Sequence, residues 1–346
     1  MYLINTFCHS LHILSVDFED VKILIIPIFV PHEGCPNDCA FCNQRTISSK
    51  SEAPSVKEVH NIVEEYLESS GGKAEQIAFF GGSFTGIPIE KQNEYLDAAK
   101  KYVENGSIKS IRLSTRPDYI DDDTVKRLIS YGVKNIELGA QSMDEKVLIA
   151  SKRGHSASDV CRASETILKN GAVLGLQMMT GLPESSMEKS IKTAKEFIRL
   201  GAKETRIYPT IVLKGTLLEK MYNEKKYTPQ SVEEAAMECA QLVRLFTEND
   251  IRILRIGLSD SVSLYENHVA GPYHPSFGEL VSSIVIRQDI ENEIGENTSI
   301  TIRANPRFVS KIIGNKGCNR AYFESKGIRL SVVPDENVDF FVCEKN

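Results

Sequence analysis

The feature that most constrains the fold of this chain is an alternation of short β-branched runs with longer amphipathic stretches, from Val21 to about residue 256. The short runs predict strands at Lys22–Val30, Gln76–Phe80, Ser110–Thr115, Asn135–Gly139, Val173–Met179 and Glu204–Pro209. The longer stretches carry apolar residues at helical spacing and predict helices at Val56–Leu67, Ile89–Val103, Asp123–Tyr131, Ala157–Asn170, Met187–Leu200 and Ser231–Asn249. Strands that alternate with helices of this length form βαβ units around a parallel sheet. The six units predict an α/β fold, a partial (β/α)6 barrel.

Glycine-rich and polar segments follow the predicted strands at the ends where a barrel has its chemistry. Active sites of complete (β/α) barrels lie at the carboxyl ends of the strands. Here those ends carry, in strand order, a cysteine-containing loop, Gly81–Gly86, Ser114–Pro117, Ala140–Ser142, Gly181–Pro183 and Tyr208–Thr210. Scattered over a surface, such segments would be ordinary turns. Gathered at one rim, they predict a single site.

Three of the eight cysteines, Cys35, Cys39 and Cys42, share the loop after the first strand with the spacing C-x3-C-x2-C. Three thiolates on one loop can hold three irons of a 4Fe–4S cluster, which leaves the fourth iron open to a small molecule. A structural zinc site is the alternative, and His32 is the nearest candidate for its fourth ligand. Structural zinc sites usually draw their ligands from two pairs and rarely use this spacing. The loop therefore favours an iron–sulfur cluster.

Composition and charge limit the class of protein. A length of 346 residues allows one large domain, or a domain of about 250 residues with a small appendage. No apolar run approaches the roughly 20 residues that a membrane span needs, and no signal peptide is evident. We therefore expect a protein that does not act in a membrane, and its unpaired cysteines and predicted cluster fit a reducing cytoplasm. A net charge of −6 argues against wholesale coating of nucleic acid, although a local basic patch could still bind it.

The glycine segment after the second strand could bring backbone N–H and C=O groups against a ligand, because glycine has no side chain to obstruct the approach. Gly81, Gly82 and Ser83 could then grip the two ends of a zwitterion, although a plain strand-to-helix turn would have the same sequence. Gln141 and Arg153 follow the fourth strand and offer hydrogen bonds to a carboxylate or to ribose hydroxyls. Alone, such polar side chains are usually surface residues. Their position on the common rim is what favours a binding role.

A catalytic residue is not evident from the sequence. His155 could titrate near neutral pH, but a histidine that opens a loop before a helix is more often structural. Tyr208 and Lys214 lie near the end of the sixth strand and could face a substrate. The catalytic residues are therefore left unassigned.

The C-terminal tail has a different pattern. It predicts a strand, a helix, the loop Gly314-Asn315-Lys316-Gly317, a second helix and a second strand, at Ser299–Ala304, Pro306–Ile313, Cys318–Ser325 and Ile328–Val333. From Arg303 to Arg329 there are seven basic residues and one acid. A helix–GxxG–helix joint with lysine in the loop resembles a K homology domain, whose loop clamps the backbone of a few nucleotides. Lys311, Gly314, Lys316 and Gly317 are the candidate RNA-binding residues, and a helix hairpin with a solvated basic face is the alternative.

Taken together, the motifs resemble those of radical S-adenosylmethionine (radical SAM) enzymes, and especially the branch that holds the catalytic subunit of Elongator, a tRNA-modifying complex. The resemblance covers most of the chain. Its motifs are Pro31-His32 with the cysteine loop, Ser114–Asp118, Glu137–Ser142, Lys152–His155, Gly181–Pro183, Arg206–Thr210, Lys214–Thr216 and His274–Leu280. So many ordered matches are more specific than the cysteines alone.

The resemblance implies two cofactors, a 4Fe–4S cluster and S-adenosylmethionine. In such enzymes one electron from the reduced cluster cleaves S-adenosylmethionine, and the resulting 5′-deoxyadenosyl radical takes a hydrogen atom from a substrate. A reductant such as a ferredoxin or a flavodoxin would supply the electron. By the family's pattern Cys35, Cys39 and Cys42 would hold the cluster. The residues that would bind S-adenosylmethionine are Gly82 and Ser83 at its methionine end, Phe41 at its adenine, and Ser114, Gln141, Arg153 and Gln177 at its ribose and carboxylate.

The chain departs from the Elongator pattern at its C-terminus. About 90 residues follow the predicted core, too few for the acetyltransferase domain of the Elongator subunit. We therefore expect no acetyl-CoA domain. The predicted organisation is an extension at 1–20, a radical SAM core at 21–256, a linker and helical extension at 257–298, and a small basic α+β module at 299–346 that resembles a K homology domain.

Three functional hypotheses follow from these features. The first is a radical SAM enzyme that acts on an RNA, with tRNA favoured, and that binds it through the tail. The second is the same chemistry on a small molecule or a protein, with the tail as a packing lid. The third is a non-catalytic iron–sulfur or zinc protein, against which the glycine loop and the polar strand ends count.

Overall fold

A computed structural model describes residues 24–30, 35, 39–42, 53–258, 262–295 and 297–345. The extension predicted at residues 1–20 lies outside the described residues, as does the Pro31-His32 pair with the candidate zinc ligand. None of the helices in the described part is both long enough and apolar enough to cross a membrane.

A parallel sheet of seven strands forms the main body. From one edge to the other, its strands are β1 Ile25–Val30, β2 Ala74–Gly81, β3 Ile108–Thr115, β4 Val133–Gln141, β5 Val173–Thr180, β6 Glu204–Pro209 and β8 Arg252–Ile256. This architecture confirms the predicted α/β partial barrel and adds a seventh strand to it. Strand β8 was not predicted because its two arginines interrupt the apolar run, and both are exposed at the edge of the sheet.

Helices connect the strands and cover one face of the sheet. They are α1 Val56–Ser69, α2 Ile89–Glu104, α3 Asp122–Ser130, α4 Glu145–Ala150, α5 Ala157–Lys169, α6 Met187–Arg199, α7 Leu217–Asn223 and α8 Val232–Thr247. Several begin where the sequence supplies a cap. The side chains of Ser55, Ser156 and Ser231 each accept a hydrogen bond from the backbone N–H three residues later. The carboxylate of that later residue accepts a hydrogen bond from the backbone N–H of the serine. Such capping boxes satisfy amide groups that the first turn leaves unpaired.

The two faces of the sheet differ in polarity. In β4, Ile136 and Leu138 are fully buried against the helices, whereas Asn135 and Glu137 alternate with them on the concave face. Successive side chains of a strand point to opposite faces, so the alternation assigns polar residues to the inside of the half barrel. The concave face is therefore built for polar contacts.

The helix α10, Phe277–Ile294, joins the barrel to the tail. Between α8 and α10 lie the helix α9 Val262–Asn267 and the short strand β9 His268–Ala270, which pairs with β7 Val212–Leu213. Helix α10 packs on α8 and β8 as well as on the tail. One apolar cluster includes Ile290 of this helix, barrel residues and tail residues such as Ile302. Apolar side chains surround α10 because it is covered on more than one side.

The tail is a three-stranded sheet with two short helices. Its strands are β10 Ser299–Ala304, β11 Arg329–Pro334 and β12 Phe341–Lys345, and its helices are α11 Val309–Ile313 and α12 Cys318–Ser325. Strand β10 lies in the middle, parallel to β11 and antiparallel to β12. The predicted order of strand, helix, loop, helix and strand is confirmed, and β12 is an addition.

Candidate active site

The described part of the cysteine loop, Cys35 and residues 39–42, lies at the carboxyl ends of the strands. The Ala40 N–H donates to Ser151 O at 2.9 Å, and Ala40 O accepts from the Leu218 N–H at 2.8 Å. The Cys42 N–H closes a turn on Cys39 O at 3.0 Å. These contacts fix the end of the loop between α4 and α7.

Two buried arginines lie beside the thiols. Arg153 donates from Nη1 to Cys39 Sγ at 3.1 Å and from Nη2 to Gly139 O at 2.5 Å. Arg116 pairs with both carboxylate oxygens of Asp118, at 2.9 and 3.0 Å. Burial raises the pKa of the Cys35 thiol, and the nearby Arg116 charge partly offsets that rise. Positive charge at this position stabilises thiolates.

The glycine segment after β2 is tightly constrained. Gly81 has φ +127°, and a Cβ added there would lie 2.3 Å from Val30 O. The Gly82 N–H donates to the same carbonyl at 3.2 Å. The Ser83 hydroxyl shares a hydrogen bond with the Thr115 hydroxyl at 2.8 Å and accepts the Arg116 N–H at 3.2 Å. The Ser83 side chain is thus engaged inside the protein, and a ligand at this segment would meet backbone groups.

Gln141 ends β4 in an unusual conformation. Its φ is +67°, a left-handed value that few residues other than glycine adopt. The side chain is buried, and its Oε1 has no hydrogen-bond partner within the described residues. Gly139 makes room for it, because a Cβ there would lie 3.1 Å from Gln141 Nε2 and 3.5 Å from Arg153 Nη2. Backbone strain combined with a buried, unsatisfied polar group is a pattern that recurs at functional sites.

Comparison with known proteins identifies the family. Residues 29–197 match the model of the radical SAM superfamily, and residues 202–286 match that of the radical SAM C-terminal domain. The chain belongs to the radical SAM superfamily. Its members are enzymes that use a 4Fe–4S cluster and S-adenosylmethionine.

Curated relatives of this radical SAM chain include proteins of the Elongator kind. It is 34% identical over 219 residues to the uncharacterised protein MJ0486 of Methanocaldococcus jannaschii, which covers 60% of the chain and 66% of that protein. It is 29% identical to the tRNA uridine(34) acetyltransferase of Methanocaldococcus infernus, over 56% of the chain and 36% of the relative. Human Elongator complex protein 3 is 28% identical, over 56% of the chain and 40% of the relative. The matches thus span between about a third and two thirds of these relatives.

A solved structure supports the fold of the radical SAM chain. The archaeal Elp3 of Methanocaldococcus infernus with an N-terminal deletion superposes with a TM-score of 0.63 at 24% identity. The superposition covers 77% of this chain and 63% of that one. At this identity the likeness shows the common half-barrel fold.

The residues at the barrel mouth fit the two cofactors of the superfamily. Within the described residues, no three His, Cys, Asp or Glu side chains lie close enough together to hold a single metal ion. A 4Fe–4S cluster takes its thiolates on separate irons, so it needs a wider spacing than one ion does. Gln141 Oε1 and Arg116 Nη1, which have no hydrogen-bond partner in the described part of the chain, offer an acceptor and a donor at the same strand ends. When bound, the cofactors supply the radical chemistry, and the protein holds and orients them.

The remaining predicted cofactor residues lie at two depths of the half barrel, one at the level of the cysteines and one deeper inside. Phe41 lies beneath the Arg153 guanidinium, 5.9 Å from ring centroid to carbon, in the same layer as the cysteines. Ser114 is half-buried near the end of β3. Gln177 lies deeper in the half barrel, where its Nε2 donates to Glu137 Oε2 at 3.0 Å. The structure thus groups Phe41, Gln141 and Arg153, and places Gln177 with a different set of residues.

That deeper set is a buried ion network whose pairing the sequence did not predict. Glu137 accepts from Arg112 Nη1 at 2.7 Å and from Arg206 Nε at 2.6 Å. Arg112 also donates twice to Glu204, at 3.0 and 2.8 Å. Burial alone would raise the pKa of Glu137, but the Arg206 and Arg112 charges outweigh it and lower that pKa. Polar residues at every second position of β3, β4 and β6 are the sequence pattern that could have revealed this network.

The structure favours a structural role for His155. The ring is buried, and its Nε2 lies 3.2 Å from Ala140 O, to which it donates in the Nε2-protonated tautomer. Burial, followed by the Arg153 and Arg116 charges, lowers the pKa of His155 to about 4. The imidazole is therefore neutral at physiological pH and ties the loop before α5 to the end of β4.

Proposed function

We propose that this radical SAM enzyme abstracts a hydrogen atom from an RNA substrate of the tRNA class, in the cytoplasm, with a reductant such as a ferredoxin or a flavodoxin. The observation that carries the proposal is the joining of the half barrel to a basic helix–GxxG–helix module through α10. The names of several relatives support tRNA as the substrate class, since they are tRNA uridine(34) acetyltransferases. Hydrogen abstraction from a small molecule or a protein is the alternative outcome of the tests below.

In this proposal the barrel mouth holds both cofactors. Cys35, Cys39 and Cys42 are the cluster ligands, and Arg153 orients the Cys39 sulfur through the bond at 3.1 Å. The backbone at Gly82 and Ser83 receives the methionine end of S-adenosylmethionine, and Phe41 contacts the adenine. Ser114 and Gln141 contact the ribose and carboxylate, together with the guanidinium of Arg153. Gln177 reaches the cofactor only from the deeper level, beside Glu137.

The tail residues divide into structural and RNA-contacting groups. The Lys311 ammonium lies 3.5 Å from the exposed carboxylate of Glu279 in α10, so its charge already has a partner at the protein surface. Gly314 is buried, and a Cβ there would lie 2.5 Å from Cys318 Sγ and 2.9 Å from Ser283 Oγ, so its role is close packing. Lys316 is exposed with φ +52°, and a Cβ on Gly317 would meet open space. Lys316 and Gly317 are therefore the stronger candidates for a phosphate contact.

Arg320 strengthens the case for a basic surface around this loop. It is exposed one residue past the buried Asn319, on the helix that follows the loop. Asn319 holds that helix on α10, because its Nδ2 donates to Ser283 O at 2.9 Å and to Ile312 O at 3.1 Å. The loop and the first turn of α12 thus present Lys316 and Arg320 to solvent from a fixed support.

The radical chemistry is tested by S-adenosylmethionine cleavage. Protein purified without oxygen, reconstituted with iron and sulfide and reduced with dithionite should release 5′-deoxyadenosine. Cleavage should disappear in Cys39→Ala, and tRNA should stimulate it in the wild type. Cleavage that is indifferent to tRNA would instead indicate a small-molecule or protein substrate. Loss of all cleavage from protein that retains iron would refute the enzymatic proposal.

The tail is tested separately by RNA binding. We expect Lys316→Glu and Arg320→Glu to weaken tRNA binding. Each should also make the association constant less dependent on salt, by about one power of the salt concentration for every phosphate that the protein no longer neutralises. Lys134→Glu is the matched control, because Lys134 is exposed near the amino end of β4, opposite the cofactor rim. Equal binding by all three variants would exclude the tail as the RNA-binding module.

A further inference from the structure

A cavity lies beside the cofactor rim, between the loop after β5 and the start of α8. It has a volume of about 320 Å³ and is lined by Gly181–Ser186, Tyr227, Gln230 and Glu238 among others. A more open cavity of about 750 Å³ shares Thr228, Gln230 and Glu238 with it. We call the two together the Glu238 pocket. Tyr227 lines this cavity and also belongs to a small apolar cluster against which Phe41 of the cysteine loop packs.

Two oxygen atoms in the pocket accept no hydrogen bond from the part of the chain that the structure describes. Glu238 is only 2% exposed, and its Oε2 accepts from Gln230 Nε2 at 2.6 Å. Glu238 Oε1 and Gln230 Oε1 have no partner within the described residues. A buried acceptor without a donor is destabilising, and a buried carboxylate without a cation is more so. A ligand group that carries N–H donors and a positive charge would satisfy both acceptors.

The surrounding charges also favour a cation. Glu184, Glu233 and Glu234 line the pocket and are exposed around its opening. Lys226 is the basic residue among the lining residues, but it is exposed and its Nζ donates to Glu224 Oε2 at 2.8 Å. One carboxylate and one amide oxygen are too few protein ligands for Ca²⁺, which takes six to eight oxygens. An organic cation suits this set better than a metal ion.

Gly181 is required for this arrangement. Its φ is +67°, and a Cβ there would lie 2.6 Å from Gln230 Oε1. Its own carbonyl already accepts from the Tyr227 hydroxyl at 2.6 Å. Any side chain at this position would displace Gln230 from the pocket. The segment Gly181-Leu182-Pro183 therefore shapes the pocket as well as ending β5.

We propose that the Glu238 pocket binds a small organic cation through a primary ammonium group, which donates to Glu238 Oε1 and Gln230 Oε1. The site is distinct from the cofactor positions of the proposed function and does not depend on them. Charge-assisted hydrogen bonds of this kind are the stronger ones in proteins. The ligand class is an alkylammonium compound whose carbon chain lies along Leu182 and Tyr227 in the inner cavity.

The test is a titration of the 346-residue chain with propylammonium chloride, followed by calorimetry and by ligand-observed NMR. Tetramethylammonium is the matched ligand, because it carries the same charge but has no N–H donor. We expect saturable binding of propylammonium and binding at least about tenfold weaker for tetramethylammonium, since hydrogen bonds to charged groups account for that factor or more. The same loss is expected for propylammonium with Glu238→Gln, whereas Glu104→Gln, at an exposed carboxylate that does not line the pocket, should bind as the wild type does.

Several results would overturn the proposal. Equal binding of the two cations would mean that the acidic surface attracts charge without a specific site. Unchanged propylammonium binding in Glu238→Gln would remove the carboxylate from the site, and an absence of saturable binding would mean that water alone fills the pocket. Gly181→Ala provides a second variant, because it displaces Gln230 while leaving the carboxylate in place, and we expect it to weaken binding as well. The comparison of the two cations on wild-type protein stands even if a variant fails to fold.

Discussion

Replacing Glu137 by glutamine should destabilise the half barrel strongly. The substitution keeps the shape of the side chain but removes the charge that two arginines share on the concave face, at 2.7 and 2.6 Å. Arg112 retains its two hydrogen bonds to Glu204 at 3.0 and 2.8 Å, so its charge stays compensated. Arg206, whose side chain is 12% exposed, loses its carboxylate and is left with the neutral Tyr208 side chain and the Phe80 ring at 5.0 Å.

The expected loss in stability follows from the partners that each arginine keeps. Breaking a buried ion pair by removing one partner costs about 3–5 kcal/mol. Because one of the two arginines remains paired, we expect a value near the lower end, about 3 kcal/mol. Glu75→Gln is the matched control, since Glu75 also pairs with a base, Lys109, but both side chains are exposed. Exposed pairs contribute at most about 1 kcal/mol.

Guanidinium unfolding at neutral pH measures the difference. Because the chain has no tryptophan, tyrosine fluorescence and far-UV circular dichroism are the suitable signals. The pKa of Glu137 is lowered in the folded state, so its contribution is present above its ordinary value of 4.5 and disappears as the pH falls through the lowered pKa. The gap between wild type and variant should therefore close in acid. A loss in free energy of unfolding for Glu137→Gln no larger than that for Glu75→Gln would refute the reasoning. The attraction within the ion network would then do no more than balance the free energy lost when its charges leave water.

Three further predictions concern the cofactor rim. The folded pKa of His155, about 4, lies below the ordinary value of 6.5, so between these pH values the unfolded chain binds a proton that the folded protein does not. The free energy of unfolding of the wild type should therefore rise by roughly 3 kcal/mol from pH 4 to pH 6.5. His155→Gln should remove this rise, as measured by thermal unfolding at a series of pH values. Gly81→Ala should unfold the protein at a much lower temperature than Gly71→Ala, since both glycines have positive φ but only the first has a backbone oxygen at 2.3 Å from the added Cβ. Arg153→Lys should reduce the iron retained per chain after reconstitution, because lysine lacks the planar fork that donates to a thiol and a carbonyl at once. Arg162→Lys, at an arginine whose side chain is 61% exposed, should retain iron as the wild type does.

Much of the fold can be predicted from the local periodicity of apolar residues in the sequence. Six strands and six of the helices between them were predicted within a few residues, because each buried strand and each long amphipathic helix carries its own pattern. The short helices α4 and α7 were not predicted. The strand β8 and the tail strand β12 escaped prediction. Arg252 and Arg255 interrupt β8, and both of those strands lie at sheet edges, where the neighbouring strand decides the pairing.

The sequence by itself determined the half barrel, the cysteine loop and the gathering of polar segments at one rim, because these depend on periodicity and on spacing along the chain. Only the tertiary structure decided which polar residues meet. Arg112 and Glu137 are 25 residues apart, and Arg206 lies 69 residues beyond Glu137, so strand order and register had to be known before their pairing could be seen. The same holds for the unsatisfied carboxylate of Glu238. Its lack of a donor within the described residues is a property of the packed surroundings and appears in no local pattern.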